Sequence, residues 1–282
     1  MTKQRASFKA TLVAVATALA TAVSLAPSAE AAPRNIVLFG DSMTANAYAG
    51  ITEYVQGPGK VSPNVPAEGR CPRGAERIAP HLAWATGLPV DDFPCNGAVA
   101  YAPEAPEKLL STQVDQAIGQ RKLTPNTAKV VFQIGLNDTY KGLDLFETQQ
   151  RRYLDAVGAQ IDRVRAISPN ARITLMGYPQ LAGPNGEFCP VHFNGIESGA
   201  LPVIPIRNML NAVHAWMQET ARVKRVSFQS LEAETAGHDT CAPADRRWVS
   251  GIVDNESTPY NMTNHLTHEG SRQVAYIMAR KI

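Results

Sequence analysis

Short, nearly continuous apolar runs alternate with longer segments of helical periodicity along most of the chain. Such runs are typical of parallel strands that are buried on both faces of a sheet. They predict strands at residues 35–39, 129–134, 172–176 and 225–228, with a short extended run at 90–93. The alternation of strand and helix predicts one α/β domain, built as a three-layer α/β/α sandwich around a central parallel sheet.

Three segments carry apolar residues at helical spacing, and each predicts a helix with one buried face. The first helix spans 147–167, with the stripe Leu154, Val157, Ile161 and Val164. The second runs from about Pro205 to Ala221, with the stripe Ile206, Leu210, Val213 and Met217. The third starts near His268 and ends the chain, with the stripe Val274, Ile277 and Met278.

The first 31 residues have the three-part layout of a secretory signal peptide. Basic residues precede an apolar stretch from Ala10 to Ala26, and small residues flank Ala31. We predict cleavage after Ala31, which leaves residues 32–282 as the mature domain. An uncleaved anchor is the alternative, but this Ala-rich run is near the lower limit for spanning a bilayer. The mature sequence has no longer apolar run, so we expect a secreted or envelope-associated protein without a membrane span.

The charge balance of the chain argues against a polyanionic partner. The sequence has 27 Lys and Arg residues against 25 Asp and Glu residues, and no run of basic residues stands out. A protein that binds nucleic acid usually concentrates positive charge to displace counterions from phosphates. We therefore expect no nucleic-acid partner, and we expect the mature chain to be a monomer.

Four cysteines remain in the predicted mature chain: Cys71, Cys95, Cys189 and Cys241. Four cysteines allow three pairings, and an oxidising exterior favours disulfides over free thiols. A zinc site is not favoured, because no two of these cysteines have the close spacing that zinc sites use. The residues alone leave the pairing open.

Two polar residues follow predicted strands at the same edge of the sheet. Ser42, in a Gly-Asp-Ser sequence, comes directly after the first strand, where a nucleophile can reach the crevice beside helix N-terminal amides. Its alternative role is an ordinary serine N-cap. Asn137, in a Gly-Leu-Asn-Asp sequence, follows the strand at 129–134. It is either an amide donor for a developing oxyanion or a turn residue that bonds its own backbone.

Gly97 supplies a third candidate donor. It lies in a Cys-Asn-Gly-Ala sequence after the extended run at 90–93, and a glycine lets its backbone N–H approach a ligand closely. The amides of Ser42 and Gly97 and the side chain of Asn137 would together form an oxyanion hole.

A histidine is expected as the general base. We select His268, because the segment 264–270 opens the last helix and can return an imidazole to the edge that carries Ser42. A metal role for His265 and His268 is not favoured, since no third ligand is spaced to complete a site. The other histidines are assigned to packing (His81, His214) or to loops near the pocket (His192, His238).

The order and wide spacing of these blocks resemble the SGNH (GDSL) hydrolase superfamily. The blocks carry Ser42, Gly97, Asn137 and His268. The sequences around the four cysteines are similar to a secreted actinobacterial esterase and phospholipase A1 branch of that superfamily. The resemblance implies a flavodoxin-like fold, disulfides Cys71–Cys95 and Cys189–Cys241, and no metal or organic cofactor.

One position departs from the superfamily pattern. Most members carry an Asp three residues before the catalytic histidine, and with His268 as the base that position is His265. In the branch that this chain resembles, a backbone carbonyl orients the imidazole. The resemblance therefore implies the His265 carbonyl as the partner of His268 Nδ1–H. A displaced acid, Asp254 or Glu256, is the open alternative.

The resemblance implies a secreted serine esterase or lipase that hydrolyses carboxylic esters through an acyl-enzyme on Ser42. The ester could belong to a lipid, an acyl glycan or a small molecule, and the sequence does not specify its acyl length or its alcohol. A second hypothesis keeps the same dyad but transfers the acyl group to an envelope alcohol. A third hypothesis is a catalytically inactive module that binds glycans or lipids.

Overall fold

The structure is a computed structural model that describes residues 34–65, 71–142 and 144–282. The predicted signal peptide, residues 1–31, lies outside the described residues. All described residues fall within one unit, Ala32–Ile282. Among them, no helix combines the length and the apolar character that a membrane crossing requires.

The described residues form twelve strands, most of them short. They are β1 (Ile36–Gly40), β2 (Asn64–Val65), β3 (Arg73–Gly74), β4 (Val90–Asp92), β5 (Lys129–Gln133), β6 (Arg172–Met176), β7 (Glu187–Phe188), β8 (Val191–Phe193), β9 (Ile196–Glu197), β10 (Leu201–Pro202), β11 (Ser227–Gln229) and β12 (Val253–Asp254). Five of them make the central sheet in the order β11-β6-β5-β1-β4. The remaining strands pair in small ribbons outside this sheet.

Nine α-helices lie in the same described ranges. They are α1 (Ser42–Ala45), α2 (Ile51–Gln56), α3 (Ile78–Thr86), α4 (Leu110–Gly119), α5 (Asp138–Lys141), α6 (Phe146–Ile167), α7 (Ile204–Lys224), α8 (Glu232–Thr235) and α9 (His268–Lys281). Helix α3 packs against α9, and α6 packs against both α4 and α7. The helices flank the sheet, which confirms the predicted three-layer α/β/α fold.

The strand order determines where a ligand crevice opens. All neighbouring strands of the central sheet are parallel. The chain builds outward from β1 in two directions, to β4 on one side and to β5 on the other. In such sheets the crevice lies beyond the carboxyl ends of the strands where the order reverses. Gly40, the last residue of β1, is paired with Gln133 of β5, so the segments that follow both strands start at this crevice.

The core confirms most of the apolar pattern and corrects two details. Strand β6 occupies the predicted range 172–176, but β11 begins only at Ser227, because Arg225 ends α7 in a left-handed conformation with φ 51°. On α6 the first position of the buried stripe is Tyr153, and the predicted Leu154 is only half-buried. The Tyr153 hydroxyl donates to the Ile134 carbonyl at 2.9 Å, which gives the polar end of the ring a partner inside the core.

The disulfides expected from the family resemblance are confirmed. Cys71 pairs with Cys95, and Cys189 pairs with Cys241, each with a Cα–Cα distance of 4.9 Å. The first disulfide ends at the turn that contains Gly97. It therefore fastens one of the candidate active-site loops to the body of the domain.

Candidate active site

Ser42 lies just beyond the carboxyl end of β1, where the backbone is tightly held. The Gln113 side chain of α4 bonds both the N–H and the carbonyl of Gly40, at 2.9 and 2.8 Å. A Cβ on Gly40 would stand 2.2 Å from the Thr44 hydroxyl, so the turn admits no larger residue. The Asp41 carboxylate then caps α1 by accepting from the Met43 N–H. These contacts fix the direction in which the Ser42 side chain leaves the strand.

His265, and not His268, contacts the Ser42 hydroxyl. The distance from His265 Nε2 to Ser42 Oγ is 2.7 Å. The other ring nitrogen, Nδ1, lies 2.9 Å from the Thr263 carbonyl. Because a carbonyl only accepts, this contact assigns the ring hydrogen to Nδ1 and leaves the Nε2 lone pair facing the serine. The arrangement lets His265 accept the Ser42 proton.

The predicted pairing of Ser42 with His268 is therefore wrong. Thr267 caps α9 by accepting from the Gly270 N–H, so His268 is the first residue of the helix. From that position its Nε2 reaches the Asn261 side-chain oxygen at 3.0 Å. His265 lies in the turn before the cap, where Asn264 has φ 58°, and this turn passes next to Ser42. The cap signal of Thr267 in the sequence separates a helical histidine from a loop histidine, but it does not show which of the two reaches Ser42.

The predicted partner of the imidazole is also corrected. The His265 carbonyl accepts from the Ser250 N–H at 3.0 Å, so it does not orient a histidine ring. The orienting carbonyl belongs to Thr263, two residues before His265. A backbone carbonyl fixes the tautomer as expected from the family resemblance, but from a different residue and for a different histidine.

Neither candidate for a displaced acid reaches the imidazole. The Asp254 carboxylate pairs with Arg247 at 3.0 Å and accepts from the backbone N–H of Gly251. The Glu256 carboxylate accepts from the Gly195 N–H at 2.6 Å. Both carboxylates bind elsewhere, and the group that contacts the His265 ring on the side away from Ser42 is the Thr263 carbonyl.

The three predicted oxyanion donors come from neighbouring segments. The Cys95 N–H donates to the Gly40 carbonyl at 3.2 Å, which joins the Gly97 turn to the end of β1. Gly97 has φ +75°, a conformation that favours glycine. Within the described part of the chain, the amides of Ser42 and Gly97 donate no hydrogen bond to another protein atom. Neither N–H group is therefore committed to a described protein acceptor, although Ser42 lines the cleft and Gly97 is not among its lining residues.

The Asn137 side chain completes this group of donors. Its Nδ2 donates to the Ala98 carbonyl at 2.8 Å, next to Gly97 in the chain. Its Oδ1 accepts from the Tyr140 hydroxyl at 2.5 Å. An amide nitrogen carries two hydrogens, so one N–H of Asn137 remains for a ligand. The structure thus brings Ser42, Gly97 and Asn137 together as predicted, with His265 in the place assigned to His268.

The reactive groups open into a cleft of about 150 Å³. Its polar lining includes Ser42, Asn137 and His265. Its apolar walls are formed by Met43, Leu136, Leu181, Ile206 and Met209. Ile206 belongs to the predicted buried stripe of α7, but it is only half-buried because the first turn of the helix borders this cleft. A polar reactive centre with apolar walls suits an ester whose acyl part is hydrophobic.

Burial shifts the ionisation of the groups around the cleft. Burial lowers the pKa of His265 below its ordinary value of 6.5, and the Thr263 carbonyl opposes this effect less strongly. The imidazole is therefore neutral near pH 7, as a general base must be. Burial also raises the pKa of Asp41 to about 7, against the effect of the hydrogen bond from Tyr178.

Two buried aspartates, Asp41 at the edge of the cleft and Asp138, hold the surrounding loops through hydrogen bonds. The Asp41 carboxylate accepts from the Tyr178 hydroxyl at 2.5 Å, and that hydroxyl accepts from the Leu136 N–H. The Asp138 carboxylate accepts from three consecutive N–H groups, those of Ala100, Tyr101 and Ala102. These contacts connect the segment after β1, the segment after β5 and the loop that follows Gly97.

The remaining histidines have structural contacts. His214 Nε2 accepts from the Tyr178 N–H, and His81 pairs with a surface carboxylate. The loop histidines predicted near the pocket lie elsewhere: His238 stacks on Trp248 with ring centroids 3.5 Å apart, and His192 is buried.

His192 also belongs to a group that could hold a metal ion by distance, with Glu197 and Glu256. Its Nε2 lies 2.9 Å from the Thr240 carbonyl, and its Nδ1 lies 3.0 Å from an Arg247 nitrogen. Both ring nitrogens are engaged, and a guanidinium cation stands where an ion would bind. The group therefore does not fit a metal.

A comparison with protein families identifies the family of this chain. The model of the GDSL-like lipase/acylhydrolase family matches residues 38–273, a range that includes Ser42, Gly97, Asn137 and His265. No curated protein matches the chain in sequence.

Solved structures share the fold at low sequence identity. Phospholipase A1 from Streptomyces albidoflavus NA297 is 18% identical, with a TM-score of 0.53 over 89% of this chain and 99% of that chain. The extracellular lipase from Streptomyces rimosus is 19% identical, with a TM-score of 0.50 over 88% and 98%. Est24, a carbohydrate acetylesterase from Sinorhizobium meliloti, is 16% identical, with a TM-score of 0.52 over 88% and 97%. At these identities the similarity establishes the fold.

Proposed function

Since the chain belongs to the GDSL-like lipase/acylhydrolase family and is a carboxylic ester hydrolase, we propose that it acts through an acyl-enzyme on Ser42 with His265 as general base. The observation that carries this proposal is the 2.7 Å contact between His265 Nε2 and Ser42 Oγ. It joins a serine at a strand end to a neutral imidazole whose tautomer is fixed.

The first half of the reaction forms the acyl-enzyme. Ser42 Oγ attacks the ester carbonyl carbon while its proton moves to His265 Nε2. The carbonyl oxygen becomes an oxyanion, which accepts hydrogen bonds from the Ser42 and Gly97 amides and from Asn137. When the tetrahedral intermediate collapses, the bond to the alcohol oxygen breaks and His265 delivers the proton to that oxygen. The alcohol then leaves.

The second half restores the enzyme. Water gives a proton to His265 Nε2 and attacks the acyl carbon, and the oxyanion forms again between the same donors. Collapse breaks the bond to Ser42 Oγ, which takes the proton back from His265. The carboxylic acid is released. The Thr263 carbonyl holds the ring through both halves but stabilises the imidazolium less than a carboxylate would.

The apolar cleft walls favour a hydrophobic acyl group as the part of the substrate that enters the cleft. Proteins of this fold include a phospholipase A1, a lipase and a carbohydrate acetylesterase, so the fold by itself selects neither the alcohol nor the acyl length. A panel of aryl esters, phospholipids and acetylated sugars of graded acyl length identifies the preferred substrate.

Labelling by a fluorophosphonate tests the catalytic assignment. We expect the mature protein to be labelled and to hydrolyse an aryl ester, and we expect Ser42→Ala to lose both properties. A matched control is Ser257→Ala, which removes a hydroxyl whose hydrogen bond goes to the Thr258 carbonyl, outside the cleft. Ester hydrolysis by the Ser42→Ala variant at the wild-type rate would refute the proposal.

We also propose that the protein is exported and that residues 1–31 are removed. The layout of that segment supports export, and so do the two disulfides of the domain, which persist in oxidising compartments. Mass spectrometry of the protein in the culture medium should find a chain that begins at Ala32. Recovery of the full-length chain in the cytoplasm would contradict this proposal.

A further inference from the structure

The one-turn helix α5 directly follows Asn137, and its last two side chains contact the oxyanion donors. We propose that Tyr140 and Lys141 are positioning residues of the oxyanion hole, Tyr140 acting through Asn137 and Lys141 acting through Gly97. This inference rests on the proposed function. It adds two residues that act through the oxyanion donors and that do not belong to the four blocks recognised in the sequence.

Tyr140 and the Ala98 carbonyl together orient the Asn137 amide. The Ala98 carbonyl can only accept, so it requires Nδ2 on its side of the amide group. With Nδ2 on that side, the Tyr140 hydroxyl donates to Oδ1 on the other side and stabilises the same orientation. A flipped amide would place two oxygens against each other at Ala98 and would present an acceptor to the oxyanion. Together the two contacts hold an N–H toward the cleft before substrate arrives.

The Tyr140 hydroxyl keeps its proton under all conditions where the enzyme would work. Burial raises the pKa of Tyr140 above its ordinary value of 10.0, and the charges of Asp41, Glu104 and Asp138 add to the effect. The hydroxyl therefore remains a donor. Asn137 and Tyr140 are three residues apart at the start of a helix, a spacing that places their side chains on one face.

Lys141 binds the Gly97 turn through the Gly97 carbonyl. Its ammonium donates to the Gly97 carbonyl at 3.0 Å and pairs with Glu104. The hydrogen bond from Lys141 lowers the pKa of Glu104 to about 2, so the Glu104 carboxylate stays ionised at neutral pH. By binding the Gly97 carbonyl, Lys141 fixes the plane of the Gly97–Ala98 peptide. Through the Gly97 dihedral angles, with φ +75°, this restrains the preceding peptide, which carries the Gly97 N–H. A glycine turn without this contact has more conformations to sample.

A purely structural role for Tyr140 is the alternative, because its ring lines the cleft and 53% of the residue is exposed. The two roles depend on different atoms of Tyr140. A role in the wall of the cleft depends on the ring, whereas orientation of the Asn137 amide depends on the hydroxyl alone. Tyr140→Phe removes only the hydroxyl, and its effect should depend on the presence of the Asn137 amide.

The test is a double-mutant cycle on kcat and KM with an aryl ester. We expect Tyr140→Phe to lower kcat about three- to tenfold with KM nearly unchanged, because one orienting hydrogen bond is lost. We expect Asn137→Ala to lower kcat by about 10²–10³. Adding Tyr140→Phe to Asn137→Ala should cost nothing further. Tyr48→Phe is the matched control, since its hydroxyl contacts Glu53 on α2, and it should leave kcat unchanged.

The same assay includes a Lys141 arm. We expect Lys141→Met to lower kcat several-fold without raising KM, and Lys141→Gln, which keeps a donor for the Gly97 carbonyl, to recover part of the loss. Lys122→Met is the control, since that lysine pairs with Asp91 on the surface, and it should leave kcat unchanged. Thermal unfolding of each variant shows whether a loss of kcat reflects a loss of fold.

The positioning role of Tyr140 is overturned by an unchanged kcat in Tyr140→Phe, by a rise in KM alone, or by an equal loss in the Asn137→Ala background. The positioning role of Lys141 is overturned if Lys141→Met keeps the wild-type kcat or if the kcat of Lys141→Gln is no higher than that of Lys141→Met. The proposed function is contradicted by a different result, which is hydrolysis at the wild-type rate by Ser42→Ala. The two failures are therefore distinguishable in one set of variants.

Discussion

The Nε2 atom of His265 lies 2.7 Å from the Ser42 hydroxyl, although 223 positions of sequence separate the two residues. Three residues further on, His268 bonds the Asn261 side chain at 3.0 Å. Two histidines on the same segment therefore have different partners. Only the first has its free ring nitrogen directed at the hydroxyl that would attack an ester.

The two histidines should differ sharply when each is replaced by glutamine. We expect His265→Gln to lower kcat/KM by about 10²–10⁴, the usual contribution of a general base. His268→Gln keeps a side-chain amide that can donate to Asn261, so kcat/KM should stay close to the wild-type value. Steady-state hydrolysis of an aryl ester measures both. A larger loss from His268→Gln would reverse the assignment.

The pH dependence of kcat/KM should follow the lowered pKa of His265. The reaction needs the neutral imidazole, and burial moves the pKa below 6.5. Activity should therefore persist as the pH drops toward 6.5 and fall only when the pH passes the lowered pKa. His268→Gln should leave the profile unchanged. A half-maximal pH clearly above 6.5 would contradict the burial of the base.

Asp41 should make the stability of the protein depend on pH in a defined direction. Burial raises its pKa from 3.8 to about 7, so the folded protein holds a proton that the unfolded chain releases. The free energy of unfolding contributed by this group is greatest below pH 3.8 and falls as the pH rises through about 7. Asp41→Asn does not titrate. Urea unfolding at about pH 5 and about pH 8 measures the free energy of unfolding of both proteins. Between these pH values the wild type should lose stability relative to the variant. If the difference in the free energy of unfolding between the two proteins is the same at both pH values, the prediction is wrong.

The two disulfides should differ in their effect on turnover. Each should contribute about 2–5 kcal/mol to stability, so removal of either lowers the Tm. The Cys71–Cys95 disulfide ends two residues before Gly97, and its replacement by a Ser pair should also lower kcat below the Tm. The Cys189–Cys241 disulfide has no such connection, and its Ser variant should keep kcat while folded. Equal kcat losses would show that the first disulfide does not position the Gly97 turn.

The candidate site could be predicted wherever its residues follow strands. Ser42 and Asn137 come directly after β1 and β5, so the parallel sheet alone puts them at one edge. Gly97 was predictable from its residue type, because the turn needs a positive φ. Tyr140 and Lys141 were not singled out, since their contacts with Asn137 and Gly97 carry no periodic signal.

The base could not be chosen in the same way. The segment from Val249 to Leu266 is irregular apart from the two-residue strand β12. It is held by an isolated pairing between Val249 and Leu266 and by the Ser250 contact with the His265 carbonyl. Its path depends on contacts with distant parts of the chain. Sequence spacing made His265 and His268 equally able to reach the edge of the sheet.

The amino-acid sequence by itself determined the layered α/β fold, the serine and the amide donors, because apolar periodicity and strand-end position are local properties. The tertiary structure decided which imidazole meets Ser42, which carbonyl orients it, and that Asp254 and Glu256 bind other groups. The physical reason is that a hydrogen bond requires two atoms within about 3 Å. Only the packing of distant segments fixes atomic positions within that distance. His265 and His268 are three residues apart and fit the same sequence pattern, but only His265 contacts Ser42.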